Sequence, residues 1–296
     1  MARNVLVLLL GNNEGAPADL YQDLQGKVAV SRGRALGVHV EVVFCSGFGQ
    51  YRVVRKRLAE AERPLDALVI EPATVANLEL IVKDVKGRTG LVLLNAWDAL
   101  VETEFRDWPK GSPCGAISMP HQQFGELQGR QVSAVVGRDA AILVVTGPSR
   151  SSAAVERLQG LKATLRSDVR ISDTEAGQWS EAEGAISFRS WYGVFRSRQE
   201  RIEAVVGQSD DLAVGARSAA LAVSNPEHAK MFAEAKYFGI GAVPGFGKEK
   251  VDEGTLYASI VAPPNAATAI ELLDQYWTRG HALPQRSFTR AVPYTP

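Results

Sequence analysis

The stretch that decides the fold is "VVTGPSRSSAAVERLQGL", Val144 to Leu161. It opens as a β-branched apolar run and breaks at Gly147-Pro148. It then passes through small polar residues into a helical pattern carrying Arg157 and Gly160. An apolar strand that hands over to a helix through such a loop is the unit of a parallel α/β sheet. Working outward, the same alternation recurs. Strand-like runs stand at Val5–Leu10, Val38–Phe44, Ala67–Ile70 and Gly90–Leu94, with helical segments at Leu20–Leu36, Gln50–Glu62 and Val75–Val85 between them. A second set has strands at Ala141–Thr146, Val169–Asp173, Ala204–Gly207, Ile240–Pro244 and Thr255–Val261. Its helices are Ser152–Leu165, Ala182–Ser197, Leu212–Ser224, Glu227–Tyr237 and Asn265–Gly280. Continuous apolar runs, rather than alternating ones, belong to strands buried on both faces. Two successive sets of similar size predict two doubly wound, Rossmann-like parallel-sheet lobes. The tail "HALPQRSFTRAVPYTP" has no periodicity and reads as a surface segment.

Bulk properties narrow the function. With 296 residues and 46% hydrophobic content the chain can bury one large or two medium cores. Lys+Arg 33 against Asp+Glu 33 leaves no basic surplus for nucleic acid or an anionic membrane. No apolar run approaches a membrane span. Cys45 and Cys114 are too few for a disulfide framework and read as buried thiols. The run Val5–Leu10 is shorter than the roughly 7–15 residues of an export-signal core, and no small-x-small cleavage site follows it. It reads as a first strand, which leaves a cytoplasmic protein or a mature exported form.

Open parallel sheets bind ligands beyond the C-terminal ends of their strands. The loops that matter are therefore Gly11–Gly15, Cys45–Gln50, Asn95–Asp98, Gly147–Ser152, Ser209–Asp211 and Pro244–Gly247. Gly147–Ser152 lacks the second glycine and the lysine of a phosphate loop. Its serines suit a helix N-cap, and free helix N–H groups there can take a hydroxyl or carboxylate. Asp210 and Asp211 can cap the helix they open. Asn12 and Asn13 follow the first strand, and Asn95, Trp97 and Asp98 follow the fourth. Carboxamides with an aromatic ring suit a sugar; turn chemistry and core packing explain the same residues without one. His121 has no metal-spaced partner, and HExxH, CxxC and Gly-x-Ser-x-Gly are absent. No metal, no cofactor and no catalytic set is expected.

The order of "VVTGPSRSSAAVERLQGLKATL", "QWSEAEG", "GQSDDLAVGARSAAL" and "PGFGKEKVDEGTLYASIVAPPNAATAIELL" resembles the type I periplasmic sugar-binding proteins, the ribose-binding-like solute receptors of ABC importers. LacI-type repressors share their effector domain. The N-terminal half fits through "LLLGNNEGAPADLYQDLQGKVAVSRGRALGVHVEVVF", "LDALVIEPA" and "GLVLLN". The resemblance implies two lobes joined by three hinge crossings, with the ligand clamped between them. Residues 1–118 plus 262–280 would form one lobe and 119–261 plus 281–296 the other. It implies a non-enzymatic receptor outside the cytoplasm that hands a sugar-like ligand to an ABC permease or a sensor protein.

Several family positions differ. The usual Asp-Arg after the fourth strand reads Asn95-Ala96. A ligand-gripping arginine reads Val155, whereas Arg157 matches the structural one. The Asn-Asp pair reads Ser209-Asp210, and Pro244-Gly245 lacks a carboxylate. Ala262 replaces a glutamine and His121 an aspartate. Each lost charge-assisted bond is worth roughly 1.5–3 kcal/mol, so either the ligand differs, or other residues hold it, or the site has decayed. The expected set is Asn12, Asn13, Asn95, Trp97, His121, Arg150, Trp179, Ser209 and Asp210. The alternative is a cytoplasmic ligand-sensing domain related to the repressors and signalling through a partner. A repressor places a helix-turn-helix ahead of the first strand, and only Met1–Asn4 stand there.

Overall fold

The computed structural model of the protein describes residues 3–60, 64–96, 99–197 and 200–296, with backbone alone at 48, 75, 99 and 100. The chain forms two compact units. Unit 1 takes Met1–Met119 and Pro263–Thr289; unit 2 takes Pro120–Ala262 and Arg290–Pro296.

Unit 1 begins with β1 (Asn4–Leu10), α1 (Leu20–Leu36), β2 (His39–Cys45), α2 (Gly47–Leu58) and β3 (Ala67–Ile70). It continues with α3 (Val75–Val85), β4 (Gly90–Leu94), α4 (Ala99–Arg106) and β5 (Cys114–Ser118). After unit 2 the chain returns as α11 (Asn265–Arg279) and β11 (Arg286–Phe288). The sheet order is β11-β5-β4-β3-β1-β2, and every described pairing is parallel. Alternate residues of each strand enter opposite cores. Leu6, Leu8, Leu68 and Ile70 pack with α2, α3 and α4. Val5, Val7, Leu9, Val69 and Val92 pack with Ala29 of α1 and with Ala266, Ala269, Ile270 and Leu273 of α11. Both sheet faces are covered, which is why β1, β3 and β4 read as unbroken apolar runs.

Unit 2 contains α5 (His121–Ser133), β6 (Ala141–Thr146), α6 (Ser152–Thr164), β7 (Arg170–Glu175), α7 (Glu181–Phe195), β8 (Ile202–Gly207) and α8 (Asp210–Leu221). It adds α9 (Pro226–Glu234), β9 (Lys236–Phe238), α10 (Gly247–Asp252), β10 (Ser259–Val261) and β12 (Val292–Tyr294). Its parallel sheet runs β7-β6-β8-β9, and β10 and β12 form an antiparallel pair. Here too the faces divide. Leu143, Val145 and Val205 meet α7, α8 and α9, while Ile142, Val144 and Val206 meet α5 and α6.

Two helix pairs of unit 2 approach at backbone contact. A Cβ at Gly125 of α5 or Gly160 of α6 would overlap the carbonyls of Arg157 and Gln122, respectively. One at Gly184 of α7 or Gly215 of α8 would overlap Leu212 and Glu181. The glycines of "SSAAVERLQG" and "SDDLAVGA" are thus packing surfaces.

Two expectations are corrected, and one helix is added. The strand expected at Ile240–Pro244 is β9, at Lys236–Phe238, where Tyr237 pairs with Val205. The helix before it ends at Glu234. Residues 239–245 cannot continue a strand, since Gly241, Ala242 and Gly245 take φ of 141°, 43° and 91°. The stretch around His121 is a helix; its buried face is Phe124, Gly125, Gln128, Gly129 and Val132, a stripe too poor in large apolar side chains to register as periodic. The tail divides instead of joining one unit: β11 extends the unit 1 sheet beside β5, and β12 pairs with β10 in unit 2. That placed residues 281–289 with unit 1, not with the second lobe.

Gly160→Ala and Gly215→Ala should each lower stability by about 1–3 kcal/mol, because a methyl has no room against backbone. Gly193→Ala, on the exposed side of α7 with nothing within 4 Å of its Cβ position, should leave stability equal or raise it by about 0.5–1 kcal/mol. Urea unfolding of the three variants checks both signs.

Candidate functional site

At the C-terminal strand ends of unit 1, polar side chains form one connected network. Asn95 follows β4 in the left-handed region, φ 55°, which asparagine tolerates better than most residues. Its Nδ2 donates to Glu71 Oε1 at 3.0 Å. Its Oδ1 accepts from Met119 N at 3.1 Å and from Asn265 Nδ2 at 2.6 Å. Glu71, directly after β3, also accepts from Gln22 Nε2 at 2.9 Å through Oε2. Gln50 braces the same turn: its Nε2 donates to the Glu71 carbonyl at 2.8 Å and its Oε1 accepts from Ala73 N at 3.0 Å. Burial pushes the Glu71 carboxyl up from the ordinary glutamate range, against the pull of the Asn95 and Gln22 donors. Glu71 is half-buried as a residue, and among the described residues no lysine or arginine forms an ion pair with it. Each Glu71 oxygen keeps acceptor capacity for a further hydroxyl or amine.

The expected residues of this unit fall differently. Asn95 is at the centre of the network. Asn12 is exposed and spends its Oδ1 on Glu14 N and Ala16 N at 2.9 and 3.0 Å, shaping the loop after β1. Asn13 is exposed beside it. Trp97 lies outside the described residues.

In unit 2 the strand ends gather around Arg157 and Gln208. Arg157 of α6 donates through Nη1 to the Gln208 carbonyl, lies 3.4 Å from His121 Nδ1, and stacks over Trp179 at 5.2 Å and Phe124 at 5.5 Å. Gln208 accepts from Gly147 N at 2.9 Å and donates to the Ala154 carbonyl at 2.9 Å, both buried bonds. It thereby ties the loop after β6 to α6 and β8. Trp179 lies flat against Gly147, where a Cβ would strike its ring. So His121 and Trp179 are brought together by the arginine that the resemblance marks as structural. Arg150 stands exposed on the same loop, and no described residue pairs with it. Ser149 N donates to Glu175 Oε1 at 2.7 Å, which fixes that loop from its other side. Ser151 occupies the N-cap position of α6 without a side-chain cap bond.

Ser209 caps α8, accepting from Leu212 N at 3.2 Å. Asp210 points into unit 2. Only 2% exposed, it accepts from Ser259 Oγ and Ala242 N, both at 2.6 Å. A Cβ at Gly239 or Gly247 would collide with its carboxylate. Asp210 therefore holds β10 and the 240–247 turn to α8. Burial raises its pKa to about 6, against the Ser259 and Ala242 donors. Burial and the Arg157 charge lower that of His121 to about 3.

A family model described as the periplasmic binding protein domain matches residues 35–281. The chain belongs to the periplasmic binding protein domain family. Solved structures share its type I fold. A periplasmic ribose ABC transporter protein from Conexibacter woesei superposes with a TM-score of 0.78 at 15% identity, over 99% of this chain and 91% of that one. A periplasmic solute-binding protein of an ABC transporter from Actinobacillus succinogenes, with bound D-allose, gives 0.79 at 15%, over 99% and 97%. A solute-binding protein from Bacillus halodurans with bound myo-inositol gives 0.75 at 18%, over 100% and 95%. A comparison with curated protein sequences gives no match. At these identities the likeness is one of fold. Periplasmic binding proteins are solute receptors, and among the described residues of this one no His/Cys/Asp/Glu group has the grouping of a metal site.

Glu71, Gln22, Gln50, Asn265 and Gln208 were not expected. The loop after β3 was missed because a single glutamate before a proline carries no motif. The available signal was a carboxylate set directly behind four fully buried strand residues.

Asp210 and His121 oppose one another in acid. Between pH of about 4 and 6 the native state holds a proton on Asp210 that the unfolded chain releases, so this contribution to stability is lost as pH rises through about 6. Between about 3 and 6.5 the native state keeps His121 neutral while the unfolded chain protonates, so this contribution is lost as pH falls. Relative to the parent, Asp210→Asn should therefore gain stability with rising pH, and His121→Gln should lose it. Each difference should reach a few kcal/mol. Denaturation midpoints from pH 4 to 7 measure both; profiles parallel to the parent would remove these groups from the balance.

Proposed function

We propose that this protein is an extracytoplasmic solute-binding receptor for a small polar ligand of the sugar or polyol class, serving an ABC permease. The observation that carries this reading is the chemistry of the strand ends. Two sheets with apolar faces concentrate carboxylate, carboxamide, imidazole and guanidinium groups where their strands stop. Glu71 and Asn95 supply acceptors and a donor from unit 1, with Asn12 and Asn13 beside them. His121, Arg150, Trp179 and Ser209 supply unit 2, and Trp97 completes the proposed set. Such groups match a ring bearing many hydroxyls and an apolar face. Relatives in fold carry D-allose and myo-inositol. No helix among the described residues is long and apolar enough to cross a membrane.

The mechanism is binding without bond-making. A ligand held by strand-end side chains favours the conformer in which they contact it best, by the difference between its affinities for the two forms. The permease reads that conformer. The altered family positions leave Glu71 of unit 1 and Arg150 of unit 2 as the charged rim groups offered to a ligand. Asp210 is committed inside unit 2 and serves by holding the 240–247 turn.

A thermal-shift panel of pentoses, hexoses, inositols and sugar acids tests the class. At a hundred times its dissociation constant a ligand should stabilise the protein by about 2.7 kcal/mol. A broad panel that leaves the melting temperature unmoved sinks the sugar reading. With a ligand in hand, Arg150→Ala should weaken binding about tenfold, the loss of one charge-assisted bond, with the unliganded melting temperature unchanged. Unchanged affinity would take Arg150 out of the site.

A further inference from the structure

Beside the first residues of β9, unit 2 carries a cavity of about 420 Å³. Arg217 of α8, Lys236 and Tyr237 of β9, and Leu256 and Tyr257 from the segment before β10 line it, with Thr295. Lys236 pairs in register with Ala204, near the start of β8, whereas Gln208 lies past that strand's end. The cavity is therefore at the opposite edge of the sheet from the rim described above.

Its side chains are unbalanced in charge, although Pro296, which carries the α-carboxylate of this chain, also lines it without an ion pair to either cation. Two cations face it, and no aspartate or glutamate does. Arg217 is half-buried with its guanidinium over the Tyr237 ring at 5.7 Å. Lys236, also half-buried, sets Nζ 4.9 Å from the Tyr257 ring centre and donates to the Val135 carbonyl at 3.2 Å. Neither forms an ion pair with a described residue. Fourteen ion pairs occur among the described residues, so carboxylates are available to cations elsewhere. The end of α8, one turn past Arg217, offsets part of one charge. The rings are apolar platforms. Tyr237 spends its hydroxyl on the Phe232 carbonyl at 3.0 Å, and Tyr257 is 43% exposed. The volume falls within the range of small-molecule sites.

We propose that this cavity is a second ligand site, for a small organic carboxylate with an aromatic or apolar body. The Arg217 fork takes the carboxylate, Lys236 adds a point charge, and Tyr257 receives the ring. The site is separate from the strand-end rim, so it stands or falls independently of the sugar reading.

The probes are benzoate and its uncharged analogue benzamide, titrated into the ¹⁵N-labelled full chain. Benzoate should shift the amides of Lys236, Tyr237 and Thr255 to Tyr257 saturably in the millimolar range, and benzamide should not. Arg217→Gln should weaken benzoate about tenfold. If that variant loses native dispersion, Lys236→Gln carries the same test. Equal binding of benzamide would show an uncharged crevice. No saturable shift, shifts elsewhere, or unchanged affinity in a folded variant would each overturn the proposal.

Discussion

A parallel sheet covered on both faces leaves little room for chemistry except where its strands end. That constraint organises this protein. In unit 1, consecutive residues of β1 enter opposite cores, so its interior residues Val5–Leu9 are not free to meet a solute. The first polar positions available are Glu71 behind β3 and Asn95 behind β4, and they bond to each other. Unit 2 repeats the logic with Gln208 behind β8 and the Gly147 loop behind β6. The rims are polar because the sheets are not.

Once the strand ends are polar, something must hold them in place, and the two units do this by different means. Unit 1 uses side-chain amides in series: Gln50 on the Glu71 carbonyl, Asn265 on Asn95, and Gln25 accepting from Ala266 N in the first turn of α11. Unit 2 uses buried charge. Arg157 is wedged between two rings and a carbonyl, and Asp210 sits where only glycines permit. Buried charge is costly unless well bonded. Burial raises the pKa of the Asp210 carboxyl and lowers that of the His121 imidazole, as it raises that of Glu71 in unit 1.

The sheets and their parallel sense were legible because strands buried on both faces leave continuous apolar runs; the division of the chain between units was implied only by the family resemblance. Elements whose packing relies on absent side chains were not. α5 meets α6 through Gly125 and Gly129, so its periodic stripe holds few large apolar residues. The position of β9 was blurred by the glycines after it, which serve the Asp210 carboxylate and not the strand. The candidate site was legible as a set of loops but not as a set of contacts. Residue type and loop position do not say which way a side chain turns. Asp210, expected at the rim, faces inward; Glu71, in a loop that had not drawn notice, faces the network. His121 and Trp179 do meet, through an arginine between them.

The return of α11 and β11 to unit 1 has a consequence for biosynthesis. The bond from Ala266 N to Gln25 spans 241 residues. Until the ribosome has made all of Pro120–Ala262, the face of Val5, Val7, Leu9, Val69 and Val92 lacks the helix that covers it. The nascent N-terminal half thus emerges with an unroofed apolar surface, while the segment behind it can collapse on its own core. Slow completion of that half keeps the chain open for longer, the state that a holding chaperone can engage.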